Sequence, residues 1–368
     1  FNGVPYLSLI PWADGAVLVA TVFFETAFAL GRLTADPLLF EGTIAARISI
    51  VIGAACLALV SRLRRIYTPL VLVPALAGLL PARDDARELV IDILDIGQGS
   101  AAVVRVPDGP VLLFDAGIGP APYDRGASTV LPFLQRLDRL PVDRFYGSHG
   151  DADHIGGAIS LARRGFFKRV YIGGREGETT ASTLLQGAVT AAGTPCASAL
   201  DGSVESWGPV RLLTIFAPED LRGGGPNDAS LVQVLSYGDF RLWLGGDASS
   251  AREADLAERG LADRIPVLIA SHHGARSSTP WSLLERARPQ VAVISCGRNN
   301  RYGHPHSETV RRLEGIGARI VRTDRHGGVT IRTDGRTMRI ETLLPEPAVS
   351  VYRLAPAGSR HHGRRVEG

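Results

Sequence analysis

From Leu89 onward the chain alternates short β-branched runs with helical ones, and Gly, Pro or Asp closes nearly every run. LVIDILD, AAVVRV and VLLFDAG come first, followed by STVLPFLQRL, VDRFYGS and a helix opening at Ile155. VRLLTIFA, SLVQVLSYG, FRLWLGGD, RIPVLIASHHG and QVAVISCG continue the series. Strands interleaved in this way with helices call for a layered α/β domain, which spans residues 89–343.

Residues 1–80 follow a different rule. The runs 15–30, 44–60 and 67–80 are apolar almost throughout, interrupted mainly by Glu25 and Arg47. A membrane-crossing helix needs roughly 20 apolar residues, so these runs with their flanks read as about three transmembrane helices, the end of a polytopic membrane domain. Three such runs in succession leave almost no polar stripe of the kind a soluble amphipathic helix shows. The arginine-rich SRLRR at 61–65 favours the cytoplasmic side, so the third run leads outward and residue 85 onward lies outside the membrane. Within a span, Glu25 reads as a pore-lining or partner-facing group. Residues 81–88 form a linker, and the segment 344–368, without periodicity and ending near SRHHGRR, reads as a disordered basic tail. The chain opens on Phe1 and its one methionine is Met338, so it reads as a carboxy-terminal fragment or a processed product.

A net charge of +3 does not mark a nucleic-acid binder by itself. Lys168 is the single lysine, so nearly all the positive charge is arginine, the residue suited to bidentate phosphate contacts. Cys56, Cys196 and Cys296 are odd in number and widely spaced, which implies neither a disulfide framework nor a structural zinc site.

Metal-competent side chains recur where strands stop. Asp115 follows VLLF, His149 follows RFYGS, Asp247 follows RLWLGG, and His272 and His273 follow PVLIAS. Ligands of α/β proteins bind beyond the carboxyl ends of strands, so these residues can converge on one rim. In GSHGDADHIGGA, His149, Asp151, Asp153 and His154 fall within six positions, which reads as the central loop of a metal site.

HGDADHIGG is similar to the H-x-[HD]-x-D-H motif of the metallo-β-lactamase fold, an αββα sandwich holding one or two metals at the edge of its paired sheets. More narrowly, LDIGQGSA, LFDAG, SHGDADHIGG, LWLGGD, SHHGARSS and SCGRNNRYGHPH together resemble the carboxy-terminal domain of the ComEC competence channels, which carry DNA across the membrane in transformation. The resemblance implies two divalent ions, Mn or Zn. His149 and Asp151 would serve one ion and Asp153 and His154 the other, with Asp247 bridging and one of His272 or His273 completing the second site. Asp115 would orient the metal loop. Where many relatives supply a further histidine, only Asn227 and Asp228 are available, and Ser100 and Gly150 stand where the family commonly has Asp and Pro.

Two such ions suit phosphodiester hydrolysis. Asp153 and Asp247 would act in catalysis with His304 or His306 as the acid, while Arg276, Arg298, Asn299, Asn300, Arg301 and Tyr302 would bind substrate. The expected substrate is DNA, mainly single-stranded and held by its backbone, with the membrane and other competence proteins as further partners. A multi-pass protein of the inner membrane with an extracytoplasmic hydrolase would cut the strand that is not transported. A DNA-guiding domain without catalysis, or a hydrolase of small phosphate or lactone esters, are the alternatives.

Overall fold

Apolar runs that are hydrophobic at every position need cover on both faces, and strands such as 111–114, 267–269 and 291–294 have it. The computed structural model describes residues 88–120, 122–174, 179–198, 201–216, 227–344, 348–355 and 365–366. The chain divides into two units, Phe1–Arg83 and Asp84–Gly368. The three apolar runs of 1–80 lie outside the described residues, as does the linker up to residue 87. No helix among the described residues is long and apolar enough to cross a membrane.

The first sheet begins with β1 (Leu89–Ile93), β2 (Ala102–Arg105), β3 (Val111–Phe114), β4 (Arg144–Gly147), β5 (Val170–Ile172) and β6 (Cys196–Ser198). The second is built from β7 (Ser203–Trp207), β8 (Val210–Ile215), β9 (Val232–Tyr237), β10 (Phe240–Leu244), β11 (Val267–Ile269), β12 (Val291–Ile294) and β13 (Arg319–Arg322). The chain then returns to the first sheet with β14 (Val329–Thr333), β15 (Thr337–Thr342), β16 (Ala348–Arg353) and β17 (Arg365–Val366). Strand order is β17-β16-β15-β14-β1-β2-β3-β4-β5-β6 in one sheet and β13-β12-β11-β10-β9-β8-β7 in the other.

The helices are α1 (Leu131–Arg136), α2 (Ala152–Ala162), α3 (Thr180–Ala191), α4 (Ser250–Glu258), α5 (Trp281–Ala287), α6 (Ser307–Gly315) and α7 (Thr323–His326). Alternate residues of one strand serve different layers. Leu112 and Phe114 of β3 join Leu242, Val267 and Val293 between the sheets. Leu113, with Phe145 of β4, instead packs on Leu134, Ile155, Ile159 and Leu185 of α1, α2 and α3. On the far side Trp243, Leu268 and Ala292 meet Leu256, Leu284 and Leu313 of α4, α5 and α6. The result is an αββα sandwich, the architecture expected from the strand-helix alternation and the motif resemblance.

Two expectations are corrected. The helix expected from Ile155 opens at Ala152, with Asp151 in extended conformation at its N-cap. Its apolar stripe starts only at Ile155, because the first turn is given to Asp153 and His154. The tail read as disordered from residue 344 contributes β16, antiparallel to β15 with Tyr352 opposite Met338. Tyr352 and Leu354 are buried in the inter-sheet core, and Arg319 donates to both Ser350 Oγ and Tyr352 Oη. Polar tips on inward-facing side chains hid the alternation.

Helix α2 lies close enough to the 116–126 loop that only glycine fits at the contact. A Cβ on Gly157 would stand 2.2 Å from the Ala116 carbonyl oxygen and 2.6 Å from the Gly126 nitrogen, both backbone atoms. Gly157→Ala is therefore expected to destabilise the domain by about 1–3 kcal/mol, read as a lower urea midpoint at unchanged slope. An unmoved midpoint would show that the loop gives way.

Candidate metal centre

Parallel pairing brings the site together. β3 and β4 run parallel in one sheet, and β10, β11 and β12 run parallel in the other. Asp115, Ser148 with His149, Asp247, His272 with His273, and Ser295 each follow the carboxyl end of one of these five strands. Gly246 makes the approach of the two sheets possible: it holds φ 54°, and a Cβ there would meet Ser148 Cβ at 2.8 Å.

Hydrogen bonds behind the site fix which nitrogen of each imidazole faces it. Asp115 accepts from Ser148 N at 2.7 Å, Ser148 Oγ at 2.9 Å and His154 Nδ1 at 2.7 Å. A carboxylate has no proton to give, so His154 Nδ1 is the donor and Nε2 is the nitrogen left to face the site. His273 Nδ1 stands 3.0 Å from the Ser295 carbonyl, which imposes the same tautomer. His149 Nδ1 is 3.0 Å from Ser148 Oγ.

The three Nε2 atoms and Asp247 Oδ1 are buried with no hydrogen-bond partner. Desolvating four such groups unpaired is costly unless something binds them. They fall into two clusters, His149/His154/Asp247 and Asp153/His154/His273, each with ligand atoms within 4.8 Å of one another. His154 Nε2 lies 3.1 Å from Asp247 Oδ1 without hydrogen-bond alignment, and His273 Nε2 lies 3.5 Å from Asp153 Oδ2 and 3.9 Å from Asp247 Oδ1. Two ligands about 2.1 Å from one tetrahedral ion stand roughly 3.4 Å apart. The donors present therefore fit a divalent cation.

Charge is arranged to match. Burial pushes the Asp247 carboxyl up, but His154, His273 and His149 pull it well below the usual carboxylate range. Burial likewise opposes ionisation of Asp153, and the close approach and charge of His273 with the charge of His154 bring it below that range. His154 is held well above the ordinary imidazole value, burial being outweighed by Asp247 and Asp115, so without an ion Nε2 keeps a proton that a bound cation would displace to expose the lone pair. The carboxylates are thus ionised, as ligands must be.

The His-His turn is strained and braced. His272 and His273 both adopt left-handed backbone, φ 51° and 54°, which costs a non-glycine residue on the order of 1–2 kcal/mol. Ser278 Oγ donates to the Ser271 carbonyl at 2.7 Å, Thr309 Oγ1 to that of Ala275 at 2.7 Å, and His306 N to that of Gly274 at 2.9 Å. Arg312 donates to the carbonyls of Arg276, Ser278 and Thr279. Beneath the turn, the fully buried Glu253 of α4 accepts from Ser271 Oγ at 2.7 Å and from Thr279 N at 2.5 Å.

The residues expected from the sequence are distributed unevenly. Asp151 Oδ2 is 3.4 Å from His149 Nε2 with its side chain 39% exposed, and His272 Nε2 is 3.6 Å from Asp247 Oδ2 at 27%. Neither belongs to the two clusters, nor does Asp228; Asn227 Nδ2 lies 3.5 Å from His272 Nδ1. His304 is at the site, its ring 5.5 Å from that of His272 and 6.2 Å from that of His273. Burial, then His273 and His272, bring its pKa down to about 4, so it is neutral at pH 7. His306 turns its Nε2 to Arg276 at 3.1 Å, and Arg276 also pairs with Glu308 at 3.3 Å.

Asn300 is occupied in holding its own loop, donating to the carbonyls of Gly297 and His304 and accepting from His304 N. Asn299 takes φ 53° in that loop, Arg298 is bonded to the Asp324 carbonyl, and Arg301 reaches Tyr302 Oη at 2.7 Å. Ser100 lines a cavity of about 30 Å³ behind His154 and Asp247, room for one water. Ser148, Ser295 and Glu253 went unnoticed in the sequence. For Glu253 a signal exists, since it shares the buried stripe of α4 with Leu256 and Ala257.

Residues 94–298 match the family profile of the Metallo-beta-lactamase superfamily. The chain is 29% identical over 268 residues to ComE operon protein 3 of Bacillus subtilis, covering 69% of this chain and 34% of that protein. It is 30% identical over 241 residues to Recombination protein 2 of Haemophilus influenzae, covering 66% and 28%. The chain thus spans about a third of the length of these relatives. Among solved structures, the metallo-beta-lactamase fold protein YhfI from Bacillus subtilis is 12% identical at a TM-score of 0.45, covering 66% of this chain and 100% of that one.

Burial pushes Glu253 from 4.5 up to about 7. A folded value above the unfolded one means that protonation favours the folded chain. This contribution is complete below the unfolded value and is lost as pH rises through about 7. Glu253→Gln keeps one acceptor for Thr279 N and offers a donor to Ser271 Oγ, so it mimics the protonated acid. Its melting temperature relative to wild type is expected to rise by several degrees between about pH 5 and about pH 8; parallel stability curves would contradict this.

Proposed function

We propose, from the premise that this chain belongs to the metallo-beta-lactamase superfamily and is related to competence proteins of the ComEC family, that it is the hydrolase end of a DNA-uptake protein and cleaves phosphodiesters of the strand that is not transported. The observation carrying this reading is the convergence of His149, His154 and His273 Nε2 with Asp247 Oδ1, buried and unpartnered at the carboxyl ends of strands from both sheets. In this reading His149 and Asp151 hold one divalent ion. Asp153, His154 and His273 hold the other, and Asp247 lies between them. The carboxylate of Asp151 in a position open to imidazole shifts the balance towards the harder manganese ion without displacing zinc. When bound, such a pair supplies charge stabilisation for a phosphoryl centre and a water of lowered pKa.

The chain's own groups do the rest. Asp115 and the Ser295 carbonyl keep His154 and His273 in the tautomer that presents a lone pair inward. Neutral His304, beside His272 and His273, offers an N–H to a phosphoryl or leaving oxygen rather than a standing charge. Its position favours it over His306 for contact with substrate, but a neutral ring hydrogen-bonds a leaving oxygen rather than supplying the proton expected of an acid. Arg298 and Arg301, on the same loop, supply the cationic side of the cleft. The apolar runs of 1–80 and the arginines of 61–65 support a multi-pass membrane protein with this domain outside the cytoplasm, working beside other competence proteins.

The full chain, purified in mild detergent and supplied with Mn²⁺ or Zn²⁺, is expected to cut a labelled single-stranded oligonucleotide, and Asp247→Ala to lower the rate by at least about a hundredfold. Metal-dependent binding without cutting would favour a guiding domain, and preference for a small phosphate or lactone ester would favour the third reading.

A further inference from the structure

A groove of about 780 Å³ opens beside the metal centre between the 297–304 loop and the Arg322–His326 segment at the end of β13. That is on the order of 25 times the volume share of one water, far more than an inorganic anion needs. Its lining side chains carry polar and charged tips: Arg298, Asn299, Arg322, Asp324, Arg325 and His326. Three arginines face one carboxylate there. Asp324 takes Arg322 in a two-pronged pair at 2.9 and 2.7 Å. Its carbonyl accepts Arg298 Nε and Nη2, each at 3.3 Å, which orients that guanidinium without neutralising it. Arg325 is exposed, so the groove holds two cationic groups in excess.

The groove and the metal centre meet at one side chain. His304 lines the groove and also stands at the rings of His272 and His273. Tyr302, 52% exposed, stacks on His304 at 5.7 Å and 23°, with the Arg301 guanidinium 4.9 Å from its ring centre. A cationic channel with an exposed aromatic ring at its rim is the combination that holds an unpaired strand, phosphates to the arginines and a base on the ring.

We infer that the Arg322–His326 corner is a binding subsite for the sugar-phosphate backbone of a single-stranded polynucleotide, which runs from the metal centre past His304 and Tyr302 into this groove. The inference rests on the proposed phosphodiester reading and adds to it a second contact region and a path. Sequence reading had no handle on VRTDRHGG, because Arg325 becomes part of the rim only when β13 is laid beside β12.

The test is binding without cleavage. With chelator present, the full chain in detergent is titrated into a fluorescent oligothymidylate of about 20 nucleotides, by anisotropy, over a range of salt. Arg325→Ala is expected to weaken binding several-fold and to flatten the plot of log affinity against log salt by about 0.7, one phosphate contact. Arg325→Lys, which keeps the charge, should restore the slope. An unchanged slope in Arg325→Ala, or no binding by wild type, overturns the subsite. A chain that cuts DNA but ignores Arg325 loses only this inference, whereas one that binds through Arg325 and never cuts loses only the hydrolase reading.

Discussion

The bond from His154 Nδ1 to Asp115 Oδ2 ties three parts of the fold to one chemical outcome. Asp115 follows β3, Ser148 follows β4, and His154 sits in the first turn of α2, so a single carboxylate holds two parallel strands and the helix that comes after them. Because that carboxylate also takes both the nitrogen and the hydroxyl of Ser148, it cannot move without dragging the loop that carries His149. Its chemical consequence is the direction of one lone pair. With Nδ1 committed, His154 Nε2 belongs to both candidate clusters, and no other described residue does.

The opposite wall is held by a different device. The second sheet contributes a turn whose two histidines adopt a backbone that side chains ordinarily avoid. Such strain persists only when neighbours over-determine it, and here the neighbours are Glu253 below, Arg312 across the following carbonyls, and the start of α6. Buried polar groups a layer behind the site therefore stabilise a conformation that hydrophobic packing alone would not select. This explains why α4 carries a carboxylate on the stripe it turns to the core.

The same division decides what could be read from the sequence. Strand runs such as VLLF and VLIA announce themselves by composition, and residues at their carboxyl ends can be named because every parallel strand ends on the same rim. The order of the motifs carried the αββα layering. What escaped was whatever depends on a neighbour remote in sequence. Ser148 and Ser295 are ordinary loop residues until opposed to an imidazole, and Asn300, chosen for its polarity, spends that polarity within its own turn. β16 escaped because Ser350 and Tyr352 point inward with polar tips that only Arg319, on the other sheet, can satisfy.

The centre that results is lopsided, and the lopsidedness bears on chemistry. His149, His154, His273 and Asp247 are nearly sealed from solvent, while Asp151, Asp153 and His272 are partly open. Asn227, standing where the resemblance implies a histidine, instead approaches His272 Nδ1. A cation held among the buried donors would be gripped by pre-aimed nitrogens and the ionised Asp247, whereas one reached through the partly exposed Asp151 and His272 would meet more solvent. Catalytic metal positions keep a ligand site for substrate or water, and structural ones close it. In the proposed reading a phosphoryl group would therefore enter past the partly exposed Asp151 and His272, next to His304 and the mouth of the arginine-lined groove, while the buried nitrogens and Asp247 would hold the ion it meets.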